Sequence, residues 1–104
     1  SDSVHFQQLQ FQWIEASLGS PHVPSGYVIR INNKFSESIW TCEIQPPGYF
    51  NPRTFNYSPG GIDCLEHNGI SGYLDPGEYY WKVKSLLHDQ ASAESNWVEI
   101  NLID

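Results

Sequence analysis

Residues 74–84 have the sequence Leu-Asp-Pro-Gly-Glu-Tyr-Tyr-Trp-Lys-Val-Lys, which is the most informative stretch of the chain. The Pro-Gly pair favours a tight turn, because proline fixes φ and glycine adopts conformations that other residues avoid. After the turn, apolar residues occupy every second position from Tyr79 to Val83, whereas Lys82 and Lys84 are charged. Successive side chains point to opposite faces of a strand, so this pattern predicts a strand with one buried face.

The rest of the chain shows the same alternation in shorter runs. Strands are predicted at residues 9–13, 27–31, 39–44 and 97–102. A short edge strand is predicted at residues 53–57, and a further short strand or bulge within residues 62–73, where glycines interrupt the pattern. Glycine and proline separate these runs, and no stretch sustains the period of an amphipathic helix. With the strand after the Pro-Gly turn, the runs predict seven strands and an all-β fold.

Length and composition predict one folded domain that spans residues 1–104. A chain of 104 residues lies near the commonest domain size. Hydrophobic residues make up 39% of the chain and aromatic residues 14%, which is enough apolar material for one core and argues against disorder. Methionine is absent, even at position 1, so we expect a domain excised from a larger protein.

The charge of the chain excludes two classes of partner. Five Lys and Arg residues against twelve Asp and Glu residues give a formal net charge of −7. That sign repels phosphate backbones and anionic lipid surfaces, so we expect no binding to nucleic acid. No apolar run approaches the roughly 20 residues that a membrane-spanning helix needs, and we expect no membrane insertion of this piece.

Several predicted strands resemble those of fibronectin type III domains. The positions that resemble the family's Leu-x-Pro-Gly-x-x-Tyr turn and sixth strand are Leu74, Pro76, Gly77, Tyr79, Trp81 and Val83. Trp13 resembles the core tryptophan of its second strand, and residues 27–31 resemble the Tyr-x-Val-x-Tyr pattern of its third. The resemblance covers residues 4–102 and implies a seven-stranded antiparallel two-sheet sandwich, with an immunoglobulin domain as the next candidate. We expect burial between the sheets for Trp13, Tyr27, Ile29, Tyr79, Trp81 and Val83.

The resemblance also implies a tyrosine corner at the start of the sixth strand. In such a corner the ring packs in the core and the hydroxyl returns to nearby backbone, which ties the turn to the strand. Alternation places Tyr79 on the buried face and Tyr80 on the outward face with the lysines. Tyr79 is therefore assigned to the corner, and Tyr80 is the alternative.

The two cysteines, Cys42 and Cys64, allow a single pairing. In an oxidising, extracellular setting they would form a disulfide that closes the segment between them. The alternative is a pair of buried free thiols in a cytosolic protein. We expect the disulfide, and with it an extracellular or cell-envelope location.

The connection that follows the third predicted strand is rich in aromatic residues. It contains Tyr49, Phe50, Phe55 and Tyr57 between several prolines and glycines. The rings could fold back over an open end of the sandwich and complete the core. One or more of them could instead be exposed, where they would stack on sugar rings or anchor a protein contact. These four residues are the candidate ligand surface.

No group of residues in the sequence has the spacing of a catalytic or metal site. The histidines lie on different predicted segments, at His5, His22, His67 and His88. Cys64 and His67 are close enough in sequence to act as metal ligands or as a nucleophile pair, but no second motif accompanies them. We therefore predict no catalytic residue, no metal ion and no cofactor.

Two functional hypotheses follow. The first is a non-catalytic interaction or spacer module of a multidomain extracellular or cell-surface protein, because the fold hosts many functions and no reaction centre can be assembled. The second is a carbohydrate-binding accessory module of a glycan-degrading enzyme, with the aromatic connection as its platform. The expected partners are neighbouring domains of the parent chain and a protein or carbohydrate ligand.

Overall fold

Strands make up most of the computed structural model, which describes residues 2–14, 24–45, 53–86 and 94–104. The strands are β1 (Asp2–His5), β2 (Gln10–Trp13), β3 (Gly26–Asn33), β4 (Ser38–Ile44), β5 (Arg53–Asn56), β6 (Glu66–Gly69), β7 (Gly77–Leu86) and β8 (Val98–Ile103). The described residues also contain a short 3₁₀ turn at Pro59–Gly61. The all-β prediction is confirmed. Among the described residues, no helix has the length and apolar character needed to cross a membrane.

The strands form two sheets, of six strands and of two. The large sheet has the order β1-β8-β7-β3-β4-β6, and the small sheet pairs β2 with β5. Every pair is antiparallel except β1 with β8, which is parallel. Two layers of this kind are compatible with a β-sandwich.

The predicted number of seven strands is wrong, because the described residues contain eight. The additional strand is β1, whose sequence Asp-Ser-Val-His lacks a run of alternating apolar residues. Its pairing with β8 depends on backbone hydrogen bonds, which any sequence supplies, so no pattern of side chains marks it. The expectation of a wholly antiparallel sandwich is wrong at the same place, since β1 runs parallel to β8.

Aromatic rings from the small sheet pack on the inner face of the large one. The Phe11 ring lies 5.9 Å from that of Trp40 and 5.1 Å from that of Trp81, centroid to centroid. Trp13 packs edge-on against Tyr27 at 5.0 Å. All six residues expected to be buried are buried: Trp13, Tyr27, Ile29, Tyr79, Trp81 and Val83. The predicted register of the strand after the Pro-Gly turn is therefore correct.

A disulfide between Cys42 and Cys64 joins the middle of β4 to the segment before β6. Cys42 is fully buried, and β6 then pairs with β4, with His67 opposite Cys42. The strand ends at Gly69, whose φ of 110° places it in a region that favours glycine. A Cβ atom at Gly69 would collide with the carbonyl oxygen of Ile39. The bridge and this close approach hold β6 at the edge of the large sheet.

Candidate functional site

Two tyrosine hydroxyls tie the segment before β7 to the core. The Tyr79 hydroxyl donates a hydrogen bond of 2.7 Å to the carbonyl oxygen of Asp75, four residues upstream. The Tyr57 hydroxyl donates one of 2.6 Å to the carbonyl oxygen of Gly72. Burial, and then the nearby Asp75 carboxylate, raise the pKa of Tyr79. The bond from Tyr79 returns its hydroxyl to the backbone just upstream of β7 and ties the turn to that strand.

Tyr57 belongs to the core, which agrees with the interpretation that rings of the aromatic connection fold back and complete the core. Its side chain is 7% exposed, and its ring centroid lies 4.8 Å from that of Trp40. Burial raises the pKa of Tyr57 to about 12, and the nearby Tyr79 and Tyr73 add to the shift. A ring in this position has no free face for a ligand.

The other three rings of the candidate surface divide between two groups. Phe55 is half-buried on β5, directly opposite Phe11, and packs against the core. Tyr49 and Phe50 lie outside the described residues. The described part of the aromatic connection therefore contributes mainly to the interior of the protein.

The described histidines and cysteines have structural contacts. Cys64 is held in the disulfide, so it cannot serve as a thiolate beside His67. The His67 ring packs over Gly61 and stands 3.1 Å, through Nε2, from the carbonyl oxygen of Ile70. The His5 Nδ1 atom accepts a hydrogen bond from the backbone of Gln7. No group of three metal-ligating side chains occurs in the part of the chain that the structure describes, and His22 and His88 lie outside it.

The most distinctive polar surface is the outer face of the large sheet, which points away from β2 and β5. The central part of this face is formed by three cross-strand pairs: Asn32 with Tyr80, Arg30 with Lys82, and Val28 with Lys84. The residues between them on β3 and β7, such as Ile29 and Val83, are buried on the inner face. Two neighbouring strands thus align an amide, a phenol ring and three basic groups on one surface.

An open groove lies at one end of this face. Its lining consists of Asn32, Ser36, Tyr80 and Trp97, and its volume is about 310 Å³. Trp97 directly precedes β8 and keeps 42% of its surface exposed. The groove therefore combines two aromatic rings with an amide and a hydroxyl.

A rigid turn positions the rim of the groove. The side-chain oxygen of Asn33 accepts hydrogen bonds of 3.0 Å from the backbone nitrogens of both Phe35 and Glu37. Ser36 has a φ of 64°, a strained value for a residue other than glycine, which the turn maintains. The Asn32 amide donates a weak bond of 3.3 Å to the Ser36 carbonyl oxygen. Its Oδ1 atom is buried and makes no hydrogen bond to a described residue.

Charged groups of both signs lie beside the groove, since Glu99 on β8 is directly opposite Tyr80 and Glu43 on β4 is directly opposite Val28. Three of the five basic residues of the chain, Arg30, Lys82 and Lys84, lie on this face. The Lys82 ammonium stands 4.6 Å from the centre of the Trp97 ring and forms an ion pair of 2.9 Å with Glu94. The hydrogen bond from Lys82, supported by the charges of Lys82, Lys84 and Arg30, lowers the pKa of the Glu94 carboxyl. Glu94 thus acts as an internal counterion for the cluster.

Comparisons with protein-family models, with curated proteins and with solved structures found no match to this chain.

Proposed function

We propose that this chain is a non-catalytic interaction module with a fibronectin type III-like fold, from a multidomain extracellular or cell-surface protein. The observation that carries the proposal is the groove on the outer face, where the half-exposed Trp97 lies beside Tyr80. A tryptophan that exposes this much surface next to a concave, largely preformed site is a common feature of ligand-binding surfaces.

The topology supports the fibronectin-like part of the proposal. In immunoglobulin-like sandwiches, one sheet contains strands G, F, C and C′ in that order, and strands B and E are neighbours in the other. The order β8-β7-β3-β4 opposite β2-β5 follows the same arrangement. The hydrogen bond from Tyr79 to the Asp75 carbonyl oxygen corresponds to the corner found at the start of strand F.

The disulfide supports an extracellular location. Disulfides persist in oxidising compartments and are rare where glutathione and thioredoxin keep thiols reduced. The bond between Cys42 and Cys64 is consistent with such an environment, since its Cα atoms lie 5.4 Å apart, within the usual range.

The contacts of the titratable groups support a non-catalytic role. Resolved pKa shifts belong to Tyr57, Tyr79 and Glu94. Each has a structural cause, because the two tyrosines are buried in the core and Glu94 is paired with Lys82. Catalysis needs an acid, base or nucleophile beside an orienting partner, and the described residues do not bring such a pair together.

A carbohydrate-binding accessory module is the second candidate, and the composition of the groove favours it. Aromatic rings offer a flat apolar surface to the C–H faces of a sugar, while Asn32 and Ser36 can bind its hydroxyl groups. The sugar would then bind in the groove and not on the aromatic connection, because the Tyr57 ring of that connection is in the core.

The proposal is tested by a partner screen with matched variants. The chain would be displayed at high copy number and screened against extracellular proteins and polysaccharides, beside Trp97→Ala and Phe35→Ala. Phe35 is 71% exposed on the β3–β4 turn and does not line the groove, so it controls for loss of an exposed ring. We expect binding that Trp97→Ala removes and Phe35→Ala retains.

Two results would contradict the proposal. The first is binding that persists unchanged in Trp97→Ala, or no partner at all in either class. The second is turnover of esters, peptides or glycosides that remains after purification and is lost in His67→Ala, since an interaction module performs no chemistry.

A further inference from the structure

We propose that the bond between Cys42 and Cys64 is a redox latch, which holds residues 59–73 over one edge of β4. Reduction by an external dithiol would release this segment while the rest of the fold stays intact. The proposal is independent of the groove on the outer face, because none of the residues that line the groove belongs to the segment. It rests on how little else attaches the segment to the core.

Residues 59–73 bury very little surface in the core. No residue of this range is fully buried, whereas Ser58 and Leu74, which flank it, are both 2% exposed. Its apolar side chains face solvent to a large extent, since Ile62 is 86% exposed and Leu65 is 61% exposed. Burial of apolar surface is the main source of stability in a folded domain, so it contributes little to holding this segment in place.

Hydrogen bonds and the disulfide supply the other attachments of the segment. β6 pairs with β4 over four residues, and the Tyr57 hydroxyl binds the Gly72 carbonyl oxygen near the end of the segment. Cys64 packs against the core and is bonded to the fully buried Cys42. An exposed edge with few buried apolar contacts is typical of units that open locally before the whole domain unfolds.

The bridge limits the freedom that the segment would gain by opening. Buried residues anchor both ends of the segment, at Ser58 and Leu74, and the bridge fastens it between them at Cys64. Opening with the bridge intact frees two short loops, whereas opening after reduction frees one longer loop, which has more chain entropy. Reduction therefore shifts the equilibrium towards the open segment, while the buried side chains of the core stay in place.

Opening of the segment would uncover one edge of β4. The Ile70 nitrogen donates a hydrogen bond of 3.1 Å to the Ile39 carbonyl oxygen. Because hydrogen bonds alternate along an antiparallel pair, Thr41 and Glu43 also direct their backbone groups to β6, whereas Cys42 directs its own to β3. A bare strand edge is a template for pairing with another extended chain. The latch thus controls access to an edge that can pair with a further strand.

Exchange with the dithiol would begin at Cys64, which is half-buried, because Cys42 is fully buried. A thiolate of the reductant attacks the Cys64 sulfur and the S–S bond breaks. The electron pair leaves on the Cys42 sulfur, which takes up a proton. The second thiol of the reductant then attacks the mixed disulfide, which releases Cys64 as a thiol and the reductant as a disulfide. Two electrons and two protons pass from the dithiol to the protein.

Amide hydrogen exchange followed by NMR tests the latch, with the oxidised chain compared with the chain kept in dithiothreitol. On reduction, we expect exchange at the amides of Asn68, Thr41 and Glu43 to accelerate about tenfold or more, because these amides join β6 and β4. The amides of Cys42 and Ile44 should stay protected, since they pair with β3, and they serve as controls within the same strand. Reoxidation should restore slow exchange.

Two variants make the test independent of the reductant. Cys64→Ala removes the bridge and leaves Cys42 as a buried thiol, so it should show the fast exchange without dithiothreitol and no further change when dithiothreitol is added. Ile62→Ala is the control within the same segment, because Ile62 is 86% exposed, and it should exchange as the unsubstituted chain does. Treatment with glutathione, a monothiol, followed by alkylation and peptide mass analysis, should locate the mixed disulfide on Cys64.

Several results would overturn the proposal. A bridge that dithiothreitol does not reduce in the folded chain is no latch, and protection at Thr41 and Glu43 that survives reduction would show that the segment is held without the bridge. Loss of protection at Ile29 and Val83 on reduction would show that the whole core unfolds. A mixed disulfide mainly on Cys42 would contradict the order of attack. These outcomes leave the groove untouched, because the groove is judged by the partner screen.

Discussion

Replacing Tyr79 with phenylalanine removes one hydroxyl and leaves the ring in the core. The hydroxyl donates a 2.7 Å hydrogen bond to the Asp75 carbonyl oxygen from a side chain that is 9% exposed. A single hydrogen bond of this kind contributes about 1 kcal/mol to the free energy of unfolding. Asp75 itself is exposed, so water can reach its carbonyl group and the loss should not greatly exceed this value. For a domain of this size, the melting temperature should fall by about 4 to 8 °C.

The neighbouring residue provides a matched control for that experiment. Tyr80 lies on the opposite face of β7, and its hydroxyl makes no hydrogen bond to a described residue. Urea unfolding followed by circular dichroism would be measured for the unsubstituted chain, Tyr79→Phe and Tyr80→Phe. We expect a lower midpoint with an unchanged slope for Tyr79→Phe, and a much smaller change for Tyr80→Phe. Equal midpoints for the two variants would refute the assignment of Tyr79 to the corner.

Three further predictions concern the segment between β5 and β7. Burial raises the pKa of Tyr57 to about 12 in the folded protein, whereas the pKa of a tyrosine in the unfolded chain is about 10. Its contribution to the free energy of unfolding should therefore be complete below a pH of about 10 and be lost as the pH rises towards 12. Across that range, the urea midpoint of the unsubstituted chain should fall more steeply with pH than the midpoint of Tyr57→Phe. Replacing both Cys42 and Cys64 with serine should lower the free energy of unfolding by about 3 kcal/mol, as measured by denaturant titration, and reduction of the unsubstituted chain should have a similar effect. Gly69→Ala should cost about 2 kcal/mol in the same assay, because φ is 110° and the new Cβ would meet backbone atoms, whereas Gly72→Ala meets no atom within 4 Å and should be almost neutral.

The strands that bury one face could be predicted from sequence alone. Alternation of apolar and polar residues reports directly which side chains face the core, and it placed Trp81 and Lys82 on the correct faces of β7. It could not reveal β1, or the exact extent of β6, because these edge strands are mainly polar and are held by backbone pairing and by the disulfide.

The candidate site was harder to predict, because it depends on contacts between distant parts of the chain. The outward direction of Tyr80 and Lys82 follows from alternation, but their partners on β3 follow only from the pairing register of Asn32 and Arg30. Trp97 was expected within the last strand, whereas β8 begins at Val98 and leaves the indole free to line the groove. Tyr57 ends the edge strand predicted at residues 53–57, but the sequence left open whether the rings of this connection are buried or exposed.

The disulfide has a mechanical consequence if the chain is pulled from its two ends. Cys42 and Cys64 are 22 positions apart in sequence, while their Cα atoms are 5.4 Å apart. Fully stretched, the enclosed residues would span about 75 Å, so the bridge withholds about 70 Å from the extension that unfolding can release. Force applied along the chain passes through the sulfur atoms and bypasses the enclosed residues, including β5 and the Pro59–Gly61 turn. A reducing agent would therefore increase the extension released on unfolding by that length. The length of the stretched chain would then depend on the redox state of its surroundings.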